Sequence, residues 1–173
     1  MGQAMIVRQW YAQLDVFDTI RRYLALLNNW TVTAAPSRER LFISDFYLIN
    51  PPLLHLTHMT SDVRRAFTSL KIARPEQSFL SYPSPSILFN KMAGIQAQAL
   101  HNLIGKGLFD VELVDKDQFR LSALGKDLAL EMGSKLILKR EEAALGFLTK
   151  EFAAIGQGKG GLRAITGLRR LGT

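Results

Sequence analysis

The 173-residue sequence predicts a mainly α fold with one small β-hairpin. Two observations carry that expectation. Apolar residues return every three or four positions over most of the chain, the period of a helix with one buried face. One stretch, Phe109 to Val114, alternates instead, with Phe109, Val111 and Leu113 on one side and Asp110 and Glu112 on the other. The length fits one domain or one domain with extensions, and the 47% hydrophobic content is enough to bury a real core.

In the first helix Val16, Phe17, Ile20, Tyr23, Leu24 and Leu27 share a face, and Arg21 and Arg22 fall on the other. Asp15 is its expected cap unless the helix begins a few residues earlier, and Asn28-Asn29 is its stop. A second helix opens after Pro36 with Ser37 as N-cap and stops before Pro51-Pro52, because the residue before a proline avoids the α region. The segment RERLFISDFYLIN is apolar nearly all round, so it is expected at the centre of the core. Asp45 is its exception, placed at the rim or held by a structural hydrogen bond. A third helix begins at Thr60 or Ser61 and buries Val63, Phe67 and Leu70. Residues 73–86, with three prolines and four serines, form a loop.

The fourth helix is expected over about Ser86 to Ile104, with Leu88, Met92, Ile95, Ala99 and Leu103 on one face and Gly105 and Gly107 ending it. The alternating strand follows, then a turn at Asp115-Lys116-Asp117, then a return strand from Gln118 to Leu121. Ser122 caps a further helix with Leu124, Leu128 and Met132. Helix, glycine, hairpin and capped helix make up the second half of a winged helix. The chain therefore reads as a winged-helix-like domain with N-terminal and C-terminal helical extensions. Its expected limits are a single mainly helical domain over 1–155, a winged-helix-like part at about 60–133, and a basic Gly-rich tail over 156–173. A last helix is expected from Ser134 to Ile155. Its apolar stripe of Leu138, Leu145, Leu148, Phe152 and Ile155 sits beside the charged Lys139, Arg140, Glu141 and Glu142.

The chemistry is bounded by what is missing. No cysteine is present, which excludes disulfides, thiolate catalysis and thiolate zinc sites. No run is long and apolar enough for a membrane span, and MGQAMIVRQW does not have the layout of a secretory signal, so a cytoplasmic protein without membrane contact is expected. His55 and His58 are three apart without a third ligand, a weak metal signal. Phosphate-loop, dinucleotide and nucleophile-elbow motifs are absent. No catalytic residue, metal or cofactor is expected, and the chain reads as a binding protein and not an enzyme.

The net charge of +7 points to a polyanion or an acidic partner. The wing is an unpromising place for DNA: Asp110, Glu112, Asp115 and Asp117 outweigh Lys116 and Arg120, whereas affinity for DNA comes largely from phosphate neutralisation. The fourth helix offers Asn90, Lys91, Gln96, Gln98 and Asn102 to base edges but only one cation. A protein-docking module is therefore favoured, and a winged-helix DNA-binding transcription regulator is the alternative. Leu145, Leu148, Phe152 and Ile155 are candidate interface residues, with plain core packing the competing role. Lys159, Arg163, Arg169 and Arg170 in the tail are candidates for contact with nucleic acid or an acidic partner, against a solvated end.

RLFISDFYLINPPLL, Arg40 to Leu54, and the later GLF…FRLSALG resemble segments of the small middle-component proteins of bacterial three-component ABC-ATPase systems. The resemblance runs from about Arg21 to Leu130. It implies a non-catalytic scaffold subunit whose partners are a coiled-coil ATPase like those that maintain chromosome structure (SMC-like) and an effector, often a nuclease. Lamassu-type antiviral and antiplasmid defence is the setting it implies. The tail matches no part of that pattern.

Overall fold

The computed structural model describes residues 11–77 and 84–171. Expectations that fall on residues 1–10, on 78–83 within the Pro- and Ser-rich loop, and on 172–173 lie outside the described residues.

Local signals place the first two helices. Helix α1, Val16–Asn28, starts where the Asp15 carboxylate accepts from Phe17 N (2.9 Å) and Asp18 N (3.1 Å). Helix α2, Arg38–Ile49, starts where Ser37 Oγ accepts from Arg40 N (3.2 Å). Every residue of α2 from Arg40 to Leu48 is buried, which makes it the central helix that its all-round apolar pattern requires. A 3-10 turn, Pro51–Leu56, follows, and then α3, Ser61–Ser69. Next come α4 (Pro85–Lys91), α5 (Ala93–Gly105), the single turn α6 (Val111–Val114) and α7 (Ala123–Met132). Helices α8 (Glu142–Thr149) and α9 (Gly161–Thr166) complete the α-helices of the described residues. Helix α1 packs against α2, α5, α7 and α8, and α2 packs against α8 and the 3-10 turn.

Aromatic rings thread the core. Phe67 meets Phe147 (5.4 Å between centroids), Phe147 meets Phe152 (6.1 Å), and Phe152 meets Tyr47 (5.7 Å). Tyr47 meets Phe46 (5.1 Å), which meets Phe89 (5.6 Å). Most of these pairs are tilted or edge-to-face, the arrangement ring quadrupoles favour.

The structure corrects the expected fold class at its β-hairpin. Among the described residues there is no strand, only an isolated antiparallel bridge between Phe109 and Leu121. The winged-helix-like reading over about 60–133 loses its wing. Past the bridge the chain turns helical because Asp110 acts as a cap, accepting from Glu112 N at 3.2 Å, and Val111–Val114 forms one turn of helix. The return segment meets the first only around the bridge, through Asp110 N to Arg120 O (2.9 Å) and Ser122 N to Leu108 O (3.0 Å), and Phe119 N donates instead to Pro36 O (3.0 Å), in the loop ahead of α2.

Two expected long helices are also interrupted, for a common reason. The helix foreseen from Ser86 to Ile104 is split into α4 and α5 at Met92. In a continuous helix Phe89 O would receive the N–H of residue 93; here it receives the Met92 N–H (3.3 Å) and the Arg170 guanidinium. The helix foreseen from Ser134 to Ile155 is regular only over α8. The carbonyl of Thr149 accepts from Thr31 N (3.2 Å) and Thr31 Oγ1 (3.0 Å), and Lys150 leaves helical geometry.

Gly125 in the first turn of α7 lies against the segment that enters the bridge: a Cβ there would sit 2.3 Å from Leu108 O. Gly146, inside α8, has nothing within 4 Å of the same position. Gly125→Ala is expected to cost about 1–3 kcal/mol through backbone displacement. Gly146→Ala is expected to add about 0.5–1 kcal/mol by restricting the unfolded chain. Denaturant midpoints that moved in the same direction for both variants would contradict this packing.

Candidate functional site

The most polar part of the interior joins four separate segments. Arg22 of α1 and Asp45 of α2 are both 0% exposed, with Arg22 Nε donating to Asp45 Oδ1 at 2.6 Å. Arg22 also donates to Asp18 Oδ2 (2.5 Å), Thr19 Oγ1 (2.9 Å) and Ala12 O (3.2 Å). The other Asp45 oxygen accepts from Gln96 Nε2 of α5 (2.8 Å), and Gln96 Nε2 also donates to Phe42 O (3.0 Å). Gln96 Oε1 accepts from Arg170 Nη2, while Arg170 Nη1 donates to Phe89 O. The Arg170 guanidinium lies 3.9 Å from the Phe89 ring centroid and 5.3 Å from that of Phe42. Tyr23 closes the network by donating to Gln96 O (3.1 Å).

Electrostatics follows from burial. Desolvation alone would pull the Arg22 pKa down; Asp45 and Asp18 outweigh it, and the group ends above its ordinary value. Arg170 ends below, because burial is only partly offset by Tyr23 and Asp45. Burial together with the Asp45 charge drives the Tyr23 phenol well up, against Arg22 and Arg170. A second cluster ties α1 to the segment before α8: Arg21 forks onto Glu141 (2.7 and 2.8 Å), Leu136 O (3.0 Å) and Asp18 (2.9 Å). Arg40 donates to Phe152 O (3.2 Å) and Ile155 O (2.6 Å), capping the last turn of that region.

The residues singled out from the sequence occupy different environments. Leu145, Leu148 and Phe152 are buried in the core and Ile155 is partly buried against it. In the tail, Lys159 and Arg169 are exposed, Arg163 is exposed and paired with Glu39 (2.7 Å), and Arg170 points inward. Leu162 and Leu168 are buried, and Asn90 binds Arg169 O (3.0 Å) and Leu171 N (2.9 Å), so residues 162–171 are tied to α4. Asn90 and Gln96, two of the polar residues offered to base edges, are therefore occupied within the chain. His55 Nε2 lies 2.7 Å from Ile72 O, and among the described residues no three His, Asp or Glu side chains gather at metal-binding distance. Gln96 and Arg22 were not legible as network members: their partners are 51 and 23 residues away.

The outer surface keeps large apolar side chains in solvent, notably Phe17 (77% exposed) on α1 and Leu130 (81%) on α7. A cleft of about 400 Å³ opens between the loop after α1 and the return segment, lined by Trp30, Val32, Phe119, Arg120 and Lys126. Among the described residues no helix is long and apolar enough to cross a membrane.

Removing one member of the buried pair leaves the other uncompensated. Asp45→Leu is expected to cost about 3–5 kcal/mol, and Arg22→Met/Asp45→Leu to recover much of that loss. Equal midpoints for the single and double variants in urea would mean that the pair carries no coupling. The tail provides an internal comparison. Arg170→Ala is expected to cost about 1–3 kcal/mol through the unmade hydrogen bonds at Gln96 and Phe89. Arg163→Ala, at a solvated ion pair, is expected to leave the midpoint where it is.

No curated protein and no solved structure matches the chain. A family model described as ABC-three component (ABC-3C) system Middle Component 5 matches residues 9–171. The match takes in α1 with its buried Arg22, the central helix α2, and the C-terminal segment that returns Arg170 to the core. The chain belongs to the Middle Component 5 family of ABC-three component systems.

Proposed function

We propose that this chain is a non-catalytic adaptor that joins an SMC-like coiled-coil ATPase subunit and an effector subunit, a nuclease in a Lamassu-type antiphage arrangement, in the cytoplasm. The observation that carries the reading is the family match over residues 9–171, which identifies a component of a multi-part system. The arrangement of charge supports it. Asp18, Asp45 and Glu141 are bound to Arg21 and Arg22 in the interior, where they hold helices together. What the chain offers outward is a contact surface: exposed Phe17 and Leu130, and exposed Lys159 and Arg169 for an acidic partner. The DNA-regulator alternative is disfavoured by the missing hairpin and by the bonding of Asn90 and Gln96 within the chain.

The test is affinity capture of the tagged chain from native cells, with and without nuclease, read by mass spectrometry. A coiled-coil ATPase and an effector encoded alongside the chain are expected in both samples. Capture of DNA-dependent material alone would overturn the adaptor reading. Phe17→Asp and Leu130→Asp are expected to reduce recovery of a partner while leaving the melting temperature of the isolated chain unchanged.

A further inference from the structure

A cleft of about 410 Å³ lies between the 3-10 turn Pro51–Leu56, α3 and the segment after it. Its lining brings together His55, Arg64, Lys71 and Arg74, with Phe67 and Gln77 beside them, and contains no Asp or Glu. Three permanently cationic residues thus line one space. We propose that this cleft binds a phosphate-bearing ligand.

The charges there have no carboxylate partner, unlike the paired arginines of α1, α2 and α9. Arg21, Arg22, Arg38 and Arg163 each have a carboxylate partner within 4 Å, and the ion pair on α3 is Arg65 with Asp62, at 3.5 Å. Among the described residues Arg64, Lys71 and Arg74 have no such partner. The residues outside the description contain no Asp or Glu side chain to supply one. Like charges gathered without a counter-charge repel one another, and an anion relieves that repulsion.

The cleft is also held in shape. Arg64 donates to Thr57 O, and its guanidinium lies 5.8 Å from the Phe67 ring centroid, so its long side chain is fixed before any ligand arrives. The His55 ring packs edge-on against Phe67 (4.7 Å) while its Nε2 meets Ile72 O. Lys71 follows the C-terminal end of α3 with φ 56°, in the left-handed region that favours glycine, and its N–H donates to Thr68 O (3.1 Å). A lysine at that position puts a cation at the cleft where a glycine would close the helix more easily.

Guanidinium groups and lysines together suit a phosphate, which carries more charge and more acceptor oxygens than a carboxylate. The volume falls within the range of small-molecule sites, roughly 300–1,000 Å³, and leaves room for the group that bears the phosphate. That group has two sources, a free nucleotide or the backbone of a nucleic acid. This proposal stands on the cleft alone and does not rest on the adaptor reading.

Isothermal titration of the full chain at low salt with inorganic triphosphate, ATP and a short single-stranded DNA tests it. At least one probe is expected to bind with a Kd below about 1 mM. Lys71→Glu/Arg74→Glu is expected to weaken binding about 10-fold or more, and Lys159→Glu/Arg169→Glu, with the same change in net charge, to leave it nearly unchanged. Lys71→Gly removes a cation and relieves the positive φ; it is expected to weaken binding without lowering the melting temperature, which separates ligand loss from misfolding. Binding of triphosphate and ATP identifies a free phosphate ligand, and preference for DNA identifies the nucleic-acid backbone. Absence of binding by every probe, or equal weakening by the cleft and tail variants, would overturn the proposal.

Discussion

The fold depends on Arg22 and Asp45 finding each other. Both are fully enclosed, on helices that begin 22 residues apart, and neither has water to fall back on. A buried ion pair adds little net stability over an apolar pair of similar shape, because desolvation offsets most of the attraction. Its effect is on register. Any packing of α1 against α2 that slides one past the other strands a charge in the core. Asp45 then extends the constraint to α5 through Gln96, and Gln96 extends it to the C-terminal segment through Arg170. One carboxylate thereby couples the relative positions of four segments.

The aromatic path makes the same connections by packing. It runs from Phe67 through Phe147, Phe152, Tyr47 and Phe46 to Phe89. A guanidinium lies over the ring at each end, Arg64 over Phe67 and Arg170 over Phe89. Protein interiors are close-packed and transmit displacement rather than absorbing it. The phosphate cleft and the C-terminal anchor are therefore joined by continuous ring contacts. This is a physical connection between two sites; two alternative arrangements of the rings would be needed to make it an allosteric one.

What the sequence made legible was local. The Asp15, Ser37 and Ser122 caps, the central position of α2 and the inward face of α3 rest on residues within one or two turns of each other, and all are in place. What it hid was one choice between two local signals and the long-range contacts. The Phe109–Val114 alternation looks like a strand, but four of its residues also make one helical turn, and the Asp110 cap decides for the turn. Helices foreseen as continuous are broken where distant groups take their carbonyls: Arg170 at Phe89, Thr31 at Thr149. Arg170 shows the same limit at the candidate site. In a segment rich in glycine and cations it reads as surface, and only the fold reveals two aromatic rings and an amide waiting for it. Arg64, Lys71 and Arg74 form no spacing motif, because a turn and not a periodicity brings them to one cleft.

Where charge lies inside bears on what the outside can do. Arg21 and Arg22 are balanced by Asp18, Asp45 and Glu141, and Arg40 and Arg170 are satisfied by carbonyls and Gln96, so the interior holds little net charge. Most of the +7 is consequently displayed at the surface. It is unevenly spread. The turn around α6 presents Asp110, Glu112, Asp115 and Asp117, of which Asp117 is engaged by Arg38, whereas the α3 cleft presents cations alone. A uniformly basic surface would attract any polyanion without orientation. Separate acidic and basic regions discriminate, because each repels what the other attracts. In a component of a multi-part system, such regions suit contacts of opposite charge.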